Sequence, residues 1–127
     1  MIVNALLKLG KYIWGIAFLG FAFGHLKAGG AWAGLIPDFL PGGAFWVYLT
    51  GVAHGLAGIS VLIGKYDKLA SFLLGLMLLI IAFSIHLPGW IDGVAGEMPN
   101  FLKSFAMAGA AWFYARYVAA DPTGLGR

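Results

Sequence analysis

Residues 69–87 read LASFLLGLMLLIIAFSIHL, and none of these side chains is charged. The charge-free stretch around them extends from Lys68 to Asp92 and contains 23 residues. About 20 mainly apolar residues in a helix, each adding about 1.5 Å, cross the hydrocarbon core of a lipid bilayer. This segment therefore predicts a membrane-spanning helix. It decides the fold class, because a chain built around such a segment is a helical membrane protein.

The composition of the whole chain agrees with lipid as its solvent. Of the 127 residues, 61% are hydrophobic and only 10% are charged, whereas soluble domains carry roughly 25% charged residues. The mean hydropathy is +0.90, so too few polar side chains remain to cover the surface of a soluble globule. The length allows one domain, and we assign residues 1–127 to a single transmembrane domain.

The same numbers exclude several classes of protein. The hydrophobicity is too high for a disordered chain, and the 20 glycines follow no three-residue period of the collagen type. The net charge of +3 is spread along the chain rather than gathered into a basic stripe, so we expect no nucleic-acid partner. The chain has no cysteine, which removes disulfides, thiolate nucleophiles and thiolate metal ligands.

Three further charge-free windows predict three further spans. They lie between Lys11 and Lys27, between Asp38 and Lys65, and between Lys103 and Arg116. The first and last windows reach spanning length only when the basic side chains at their ends, Lys8 included, extend towards the lipid headgroups. We therefore predict an all-α bundle of four transmembrane helices, over residues 8–27, 44–64, 69–87 and 101–119.

Breaks rich in glycine and proline separate these spans. We expect Pro88 to end the third helix, because proline cannot donate the backbone hydrogen bond that a helix needs. In chain order the breaks are Ala28 to Gly30, Pro37 to Gly43, Gly64 to Lys68, Pro88 with Gly89, and Asp121 with Pro122.

The distribution of positive charge predicts the orientation in the membrane. The two opposite loops hold only Lys27 and Lys103. Since positive residues concentrate on the cytoplasmic side, we predict both termini in the cytoplasm and a multi-pass protein of a bacterial inner membrane. A competing interpretation is a cleaved signal peptide, suggested by the apolar run Tyr12 to Gly24 ahead of Ala31-Trp32-Ala33. The chain ends and the middle turn hold the other six basic residues: Lys8, Lys11, Lys65, Lys68, Arg116 and Arg127.

Small residues predict where the helices touch, because helices in a bilayer associate by close approach of their backbones. We predict packing within one bundle, with a seam between two copies of the chain as the alternative. The candidates are Gly20 and Gly24 in the first span, Gly51, Gly55 and Gly58 in the second, and Ala106, Gly109 and Ala110 in the fourth.

Three histidines are the candidate cofactor-binding residues, because ionisable side chains within membrane spans are functional candidates. His25 and His86 fall near the outer ends of their helices. His54 falls ten residues into its own helix, roughly 15 Å down at about 1.5 Å per residue. We therefore expect His54 not to join the other two histidines in one compact site.

Each histidine has a structural and a functional interpretation. The structural one is a neutral imidazole bonded within the bundle for His54, and a residue facing headgroups and water for His25 and His86. The functional one for His54 is a hydrogen bond to a quinone-like headgroup or a proton-relay step. For His25 with His86 it is a metal ion or a b-type haem. The pattern allows quinone or haem without requiring either, and the site prediction includes no metal ligand.

Catalytic motifs are missing from the sequence. The outer loops hold Asp38, Asp92 and Glu97, which we expect to be solvated. No GxSxG, HExxH, P-loop or dinucleotide motif occurs, and no span holds a pair of carboxylates. We therefore name no catalytic residue, and the pattern favours a protein that is not an enzyme by itself.

Five segments carry a resemblance to a known family: Gly20 to Lys27, Ile36 to Pro41, Thr50 to Gly64, His86 to Pro88, and Asn100 to Lys103. In order and spacing they resemble the DoxX-like family of small four-helix membrane proteins, over nearly the whole chain. The resemblance implies the four-helix fold and an association with membrane redox complexes, since the family is named after a small subunit of a thiosulfate:quinone oxidoreductase. Many members look to carry an acidic residue where this chain has His54, so a role for that carboxylate does not carry over.

These observations lead to one functional prediction and two alternatives. We predict a non-catalytic, accessory subunit of a larger membrane complex, such as a membrane oxidoreductase. Its partners are then the lipid bilayer and other membrane subunits, and a homo-oligomer is compatible with the same small-residue faces. The alternatives are a quinone- or haem-binding redox protein that uses the histidines, and a small transporter or channel.

Overall fold

The computed structural model describes residues 1–126, which form an all-α bundle of four long helices without any strand. Arg127, one of the six residues used for orientation, lies outside the described residues. The first long helix is α1 (Ile2–Lys8) followed through Leu9 by α2 (Gly10–Ala28), and the second is α3 (Ala44–Ile63). The third comprises α4 (Asp67–Ile81), a π-helical segment (Ala82–His86) and α5 (Leu87–Ile91). The fourth is α6 (Glu97–Tyr117), and a short 3₁₀ helix (Ala33–Leu35) lies between α2 and α3.

Three of these helices are long and apolar enough to cross a membrane: Ile2–Ala28, Ala44–Ile63 and Asp67–Ile91. The third has the highest mean hydropathy, 2.3, in its most apolar window. The helix α6 is not in this group. It carries Glu97, Lys103 and Arg116, and these charges lower its mean hydropathy.

The predicted count of four helices is confirmed, but some predicted boundaries are wrong. The first helix begins at Ile2 rather than at residue 8, and the fourth covers Glu97–Tyr117 rather than 101–119. The third helix does not end at Pro88, because proline is tolerated in the first turn of α5, where a backbone N–H needs no helical partner. The wider π turns just before Pro88 let the helix continue to Ile91.

The bundle consists of two closely packed helix pairs. The helix α2 packs mainly on α3, and α4 packs mainly on α6, while α3 and α4 join the two pairs. Between them lies a core of buried apolar side chains from all four long helices. Its members are Phe18, Ala57, Leu74, Leu78, Ala108 and Ala111.

Glycine sets the distance between α2 and α3. A Cβ built on Gly58 would lie 2.8 Å from the carbonyl oxygen of Gly15, and one built on Gly51 would lie 2.8 Å from the Cβ of His25. A Cβ on Gly55 would lie 3.3 Å from that of Ala22. The three glycines predicted in the second span therefore face α2.

The small residues predicted in the other spans take different positions. A Cβ on Gly20 would have nothing within 4 Å, and one on Gly24 would meet only Trp32 at 3.9 Å. Packing of Gly20 inside the bundle is therefore a wrong prediction, since Gly15, Phe18 and Ala22 form the buried face of α2. The predicted face of α6 is wrong for the same reason, because its buried residues are Ser104, Ala108, Ala111 and Tyr114. The predicted residues Ala106, Gly109 and Ala110 are exposed.

A buried carboxylate closes the end of the bundle where the α3–α4 turn meets the end of α6. Asp67 is fully buried. It accepts hydrogen bonds from the hydroxyl of Tyr114 at 2.9 Å and from the backbone N–H groups of Ala120 at 2.9 Å and Asp121 at 2.8 Å. The carboxylate thus ties the first turn of α4 to the chain segment that follows α6. Asp67 lies within the predicted break Gly64 to Lys68, and no pattern in the sequence indicates this role.

Candidate functional site

The imidazole rings of His25 on α2 and His54 on α3 lie side by side, 4.9 Å apart between centroids. The Nδ1 atom of His25 lies 2.8 Å from the carbonyl oxygen of Phe21, and that of His54 lies 2.6 Å from the carbonyl oxygen of Thr50. A carbonyl oxygen only accepts, so each Nδ1 carries the hydrogen and donates it. In a neutral ring the other nitrogen, Nε2, is then a free acceptor. The pair therefore offers two acceptor nitrogens close together.

This pairing corrects the expectation that His54 lies too deep to join another histidine. Gly29, just after the end of α2, lies beside Tyr48 in the second turn of α3, since a Cβ built on Gly29 would meet the ring of Tyr48 at 2.3 Å. The first turn of α3 therefore extends past the end of α2. His54 lies six residues after Tyr48, and His25 lies four residues before Gly29. In two antiparallel helices these positions share nearly one depth. The absence of a side chain on Gly51 then lets the two helices approach at that depth.

His54 is held by aromatic rings on its buried side. It is only 3% exposed. The ring of Phe18 stacks on it at 5.8 Å between centroids, and that of Phe21 lies 5.7 Å away. These contacts and the bond to Thr50 leave the imidazole little freedom to rotate, so the position of its Nε2 atom is set before any ligand arrives.

The third histidine is bonded to a carboxylate, a contact for which the sequence carries no clear signal. The Nδ1 atom of His86, the last residue of the π-helical segment, lies 2.6 Å from Oε2 of Glu97 in the first turn of α6. The two side chains are only 16% and 13% exposed, so the prediction that Glu97 is solvated in a loop is wrong. Asn100 donates from Nδ2 to Oε1 of Glu97 at 3.3 Å, and Lys103 donates from Nζ to Oδ1 of Asn100 at 3.4 Å.

All three histidines line one cavity of about 400 Å³. Most of its wall is apolar or aromatic, and its polar groups come from both helix pairs, His25 and His54 from α2 and α3, and His86, Asn100 and Lys103 from the third helix and α6. We call this space the histidine cavity. Its further lining residues are Phe21, Trp32, Leu35, Ile36, Val47, Thr50, Leu78, Ile81, Ile85, Asn100, Lys103, Ser104 and Met107.

The arrangement suits a small ligand with an apolar ring and polar groups at two ends. The imidazoles of His25 and His54 accept hydrogen bonds through Nε2, while Lys103 and Asn100 on α6 bring N–H donors to the same cavity. Within residues 1–126 no group of three or more His, Asp or Glu side chains could hold a metal ion.

Asn100, which lines this cavity, and Glu97, which is bonded to His86, had no clear signal in the sequence. Both residues precede the charge-free window that predicts the fourth span, so that window places them outside the helix. The weak signal available was the turn residue Gly96, which has a positive φ of 85° directly before α6, followed by Glu97 and then Pro99 in the first helical turn. Acidic residues and proline are both favoured in the first turn of a helix.

The fold and the site define a class: a small all-α protein of four long helices with a histidine-lined cavity between them. The chain belongs to the family described as a domain of unknown function, DUF8561, which matches residues 14–108. The matched part runs from α2 into α6 and contains the three histidines, Glu97 and Lys103. No curated protein and no solved structure matches the chain. The resemblance to the DoxX-like family stays a prediction.

Proposed function

We propose that this chain is an integral membrane protein that crosses a bacterial inner membrane four times, with both ends in the cytoplasm. Three helices of sufficient length and apolarity support this placement, and so do the many large apolar side chains that face outwards along them. The fourth crossing is α6, with Arg116 near one end and Lys103 beside the histidine cavity. The bonds of Asp67 to Ala120 and Asp121 bring the end of α6 to the α3–α4 turn, so Lys65, Lys68 and Arg116 share one end of the bundle.

We further propose that the histidine cavity binds the polar ring of a small lipid-soluble redox molecule, such as a quinone. The observation that carries this proposal is the contact between the imidazoles of His25 and His54, each bonded through Nδ1 to its own helix. A hydroxylated ring in its reduced form donates hydrogen bonds to the two Nε2 atoms. Its oxidised form accepts from the N–H groups of Lys103 and Asn100 on α6, and the apolar walls exclude water from the ring.

The test begins with the protein as it exists in native membranes. We would purify it in mild detergent, record its ultraviolet-visible spectrum and identify co-purifying small molecules by mass spectrometry. A short-chain quinone analogue, oxidised or reduced, is then titrated while tryptophan fluorescence is followed, because Trp32 lines the cavity. We expect saturable quenching that His54→Gln weakens at least tenfold and that Ser84→Ala, outside the cavity, leaves unchanged. Absence of saturable quenching in either redox form would overturn the proposal.

A second candidate function is that of an accessory subunit in a larger membrane complex. The observation in its favour is the open face of α2 at Gly20 and Gly24, where no other helix of the chain packs. Small residues four apart let another helix approach closely in lipid. The partner is a subunit of an oxidoreductase that exchanges the ligand of the histidine cavity, or a second copy of the chain.

This second candidate has its own test. The chain has no cysteine, so a Gly20→Cys variant reports its neighbours by disulfide or cross-linker capture in native membranes. Capture of one defined protein by Gly20→Cys, but not by Ile59→Cys on the exposed face of α3, supports a subunit seated on α2. Equal, unspecific capture at both positions would contradict it.

A further inference from the structure

A second concave surface lies on the side of the bundle away from the α2–α3 contact. It is an open groove of about 670 Å³ between the first long helix and α6, whose backbones do not pack closely against each other. We call it the α2–α6 groove. Its lining residues are Leu7, Lys8, Gly10, Lys11, Trp14, Gly109, Ala110, Phe113, Tyr114 and Val118.

The groove exists because side chains are missing where the two helices face each other. A Cβ built on Gly10 or on Gly109 would have no atom within 4 Å, so the chain leaves both positions unfilled. The rings of Trp14 and Tyr114, 5.1 Å apart between centroids, meet beneath this space. The two exposed glycines and the aromatic rings beneath them form a narrow apolar surface, which suits a flexible acyl chain.

One end of the groove is positively charged. Lys8 and Lys11 line it, and no acidic residue does. Within residues 1–126 neither lysine forms an ion pair with a carboxylate. Lys11 also lies near the α3–α4 turn, because its Nζ atom would be 3.6 Å from a Cβ on Gly64. This end of the bundle carries Lys65, Lys68 and Arg116 as well, which matches the cytoplasmic surface in the proposed orientation.

We propose that the α2–α6 groove binds one anionic phospholipid, with its phosphate at Lys8 and Lys11 and an acyl chain against Trp14, Gly109 and Phe113. The charge argues for a lipid rather than for an apolar helix, because a helix would leave the two lysines uncompensated. Basic residues at the cytoplasmic ends of transmembrane helices bind anionic headgroups. The inference rests on the proposed membrane placement but not on the ligand of the histidine cavity.

The experiment compares phosphatidylglycerol with phosphatidylcholine of the same acyl chains. Each lipid is titrated into delipidated full-length protein in mild detergent, and binding is followed by native mass spectrometry. We expect preferential retention of one phosphatidylglycerol molecule. The double variant Lys8→Gln/Lys11→Gln should weaken it about 25-fold, since each lysine contributes about fivefold. The control Lys27→Gln removes a positive charge at the other end of α2, outside the groove, and should change it less than threefold, whereas Lys8→Gln alone should weaken it about fivefold.

A second variant tests the shape of the groove instead of its charge. Gly109→Leu places a side chain into open space, so the fold tolerates it while the acyl chain is displaced. Gly20→Leu is the matched control, because Gly20 is equally open but lies outside the groove. The proposal would be overturned if the protein bound the two lipids equally, or if both groove variants bound phosphatidylglycerol like the wild type. It would also be overturned if the protein formed a homodimer that Gly109→Leu dissociates.

Membrane fractionation distinguishes a failure of the proposed membrane placement from a failure of the groove proposal. If the wild-type chain is absent from the membrane fraction, the proposed placement fails and the groove proposal falls with it. If the chain is in the membrane and shows no preference for phosphatidylglycerol, only the groove proposal fails.

Discussion

Gly51 lies directly against His25, with only 2.8 Å between a Cβ built on the glycine and the Cβ of the histidine. The contact sits one helical turn from His54 on α3. It determines how closely the two imidazoles approach, because any side chain at residue 51 pushes α3 away from α2. The geometry of the histidine cavity therefore depends on a residue that itself contributes no chemistry.

Gly51→Ala should both destabilise the protein and weaken ligand binding. The added methyl group overlaps with the side chain of His25, and overpacking of this kind costs about 1–3 kcal/mol. Thermal unfolding in detergent measures the first effect and titration of the quinone analogue the second. Gly20→Ala is the matched control, and it should be neutral or slightly stabilising, because the site is open and alanine favours helices. Equal behaviour of the two variants would contradict the role of Gly51.

Asp67→Asn should loosen the end of the bundle. The amide cannot accept all three hydrogen bonds that the carboxylate accepts from Tyr114, Ala120 and Asp121, and we expect a loss of about 3 kcal/mol. Tyr114→Phe removes only one of them and should cost about 1–2 kcal/mol. Chemical unfolding gives both values, and tryptic cleavage after Arg116 should accelerate in the same order. Full stability of Asp67→Asn would refute this function of the carboxylate.

Glu97→Gln should weaken ligand binding in the histidine cavity about tenfold and lower stability by about 2 kcal/mol. The substitution keeps the size of the side chain but removes the charge that holds His86 at 2.6 Å, and hydrogen bonds to charged groups contribute about 1.5–3 kcal/mol. Asp92→Asn, which neutralises an exposed carboxylate next to α5, serves as the control. The prediction fails if both variants bind the quinone analogue like the wild type.

The segment after α6 should respond to acid. Asp121 accepts hydrogen bonds from the hydroxyl of Thr123, and from the backbone N–H groups of Tyr66 at 2.7 Å and Thr123 at 2.9 Å. These bonds, the one from the Thr123 hydroxyl above all, lower the pKa of Asp121 below its ordinary value of 3.8. A carboxyl group with a lowered pKa stabilises the folded state above its ordinary pKa, and the contribution is lost as the pH falls through the lowered value.

The measurement is the amide chemical shift of Thr123 in a pH titration of the protein in detergent micelles. We expect a midpoint below 3.8 in the wild type, no such transition in Asp121→Asn, and an unchanged midpoint in the control Asp38→Asn. A wild-type midpoint at or above 3.8 would show that the hydrogen bonds of Asp121 do not persist in solution.

The helices themselves could be predicted from local features of the sequence. Long apolar runs and the breaks at Gly29 and Gly64 are properties of short segments, and secondary structure in an apolar chain follows from them. The errors arose at helix ends. Pro88 does not end a helix because the π turns before it accommodate the ring, and Glu97 begins α6 although the charge-free window starts only after Lys103. A charge-free window marks only the uncharged part of a helix, and the helix itself extends further, into residues that carry charge.

The sequence by itself determined the all-α class, the number of long helices and the three histidines as candidates, because each depends on composition or on neighbours along the chain. Only the tertiary structure decided which polar groups meet. The register of α3 against α2 brings His54 to His25, and the start of α6 brings Glu97 to His86. The register depends on where a glycine of one helix meets a residue of the other. Here Gly58 meets Gly15, and Gly51 meets His25. Such pairs of distant residues leave no periodic signal along the chain, because the contact between them forms only when the helices pack.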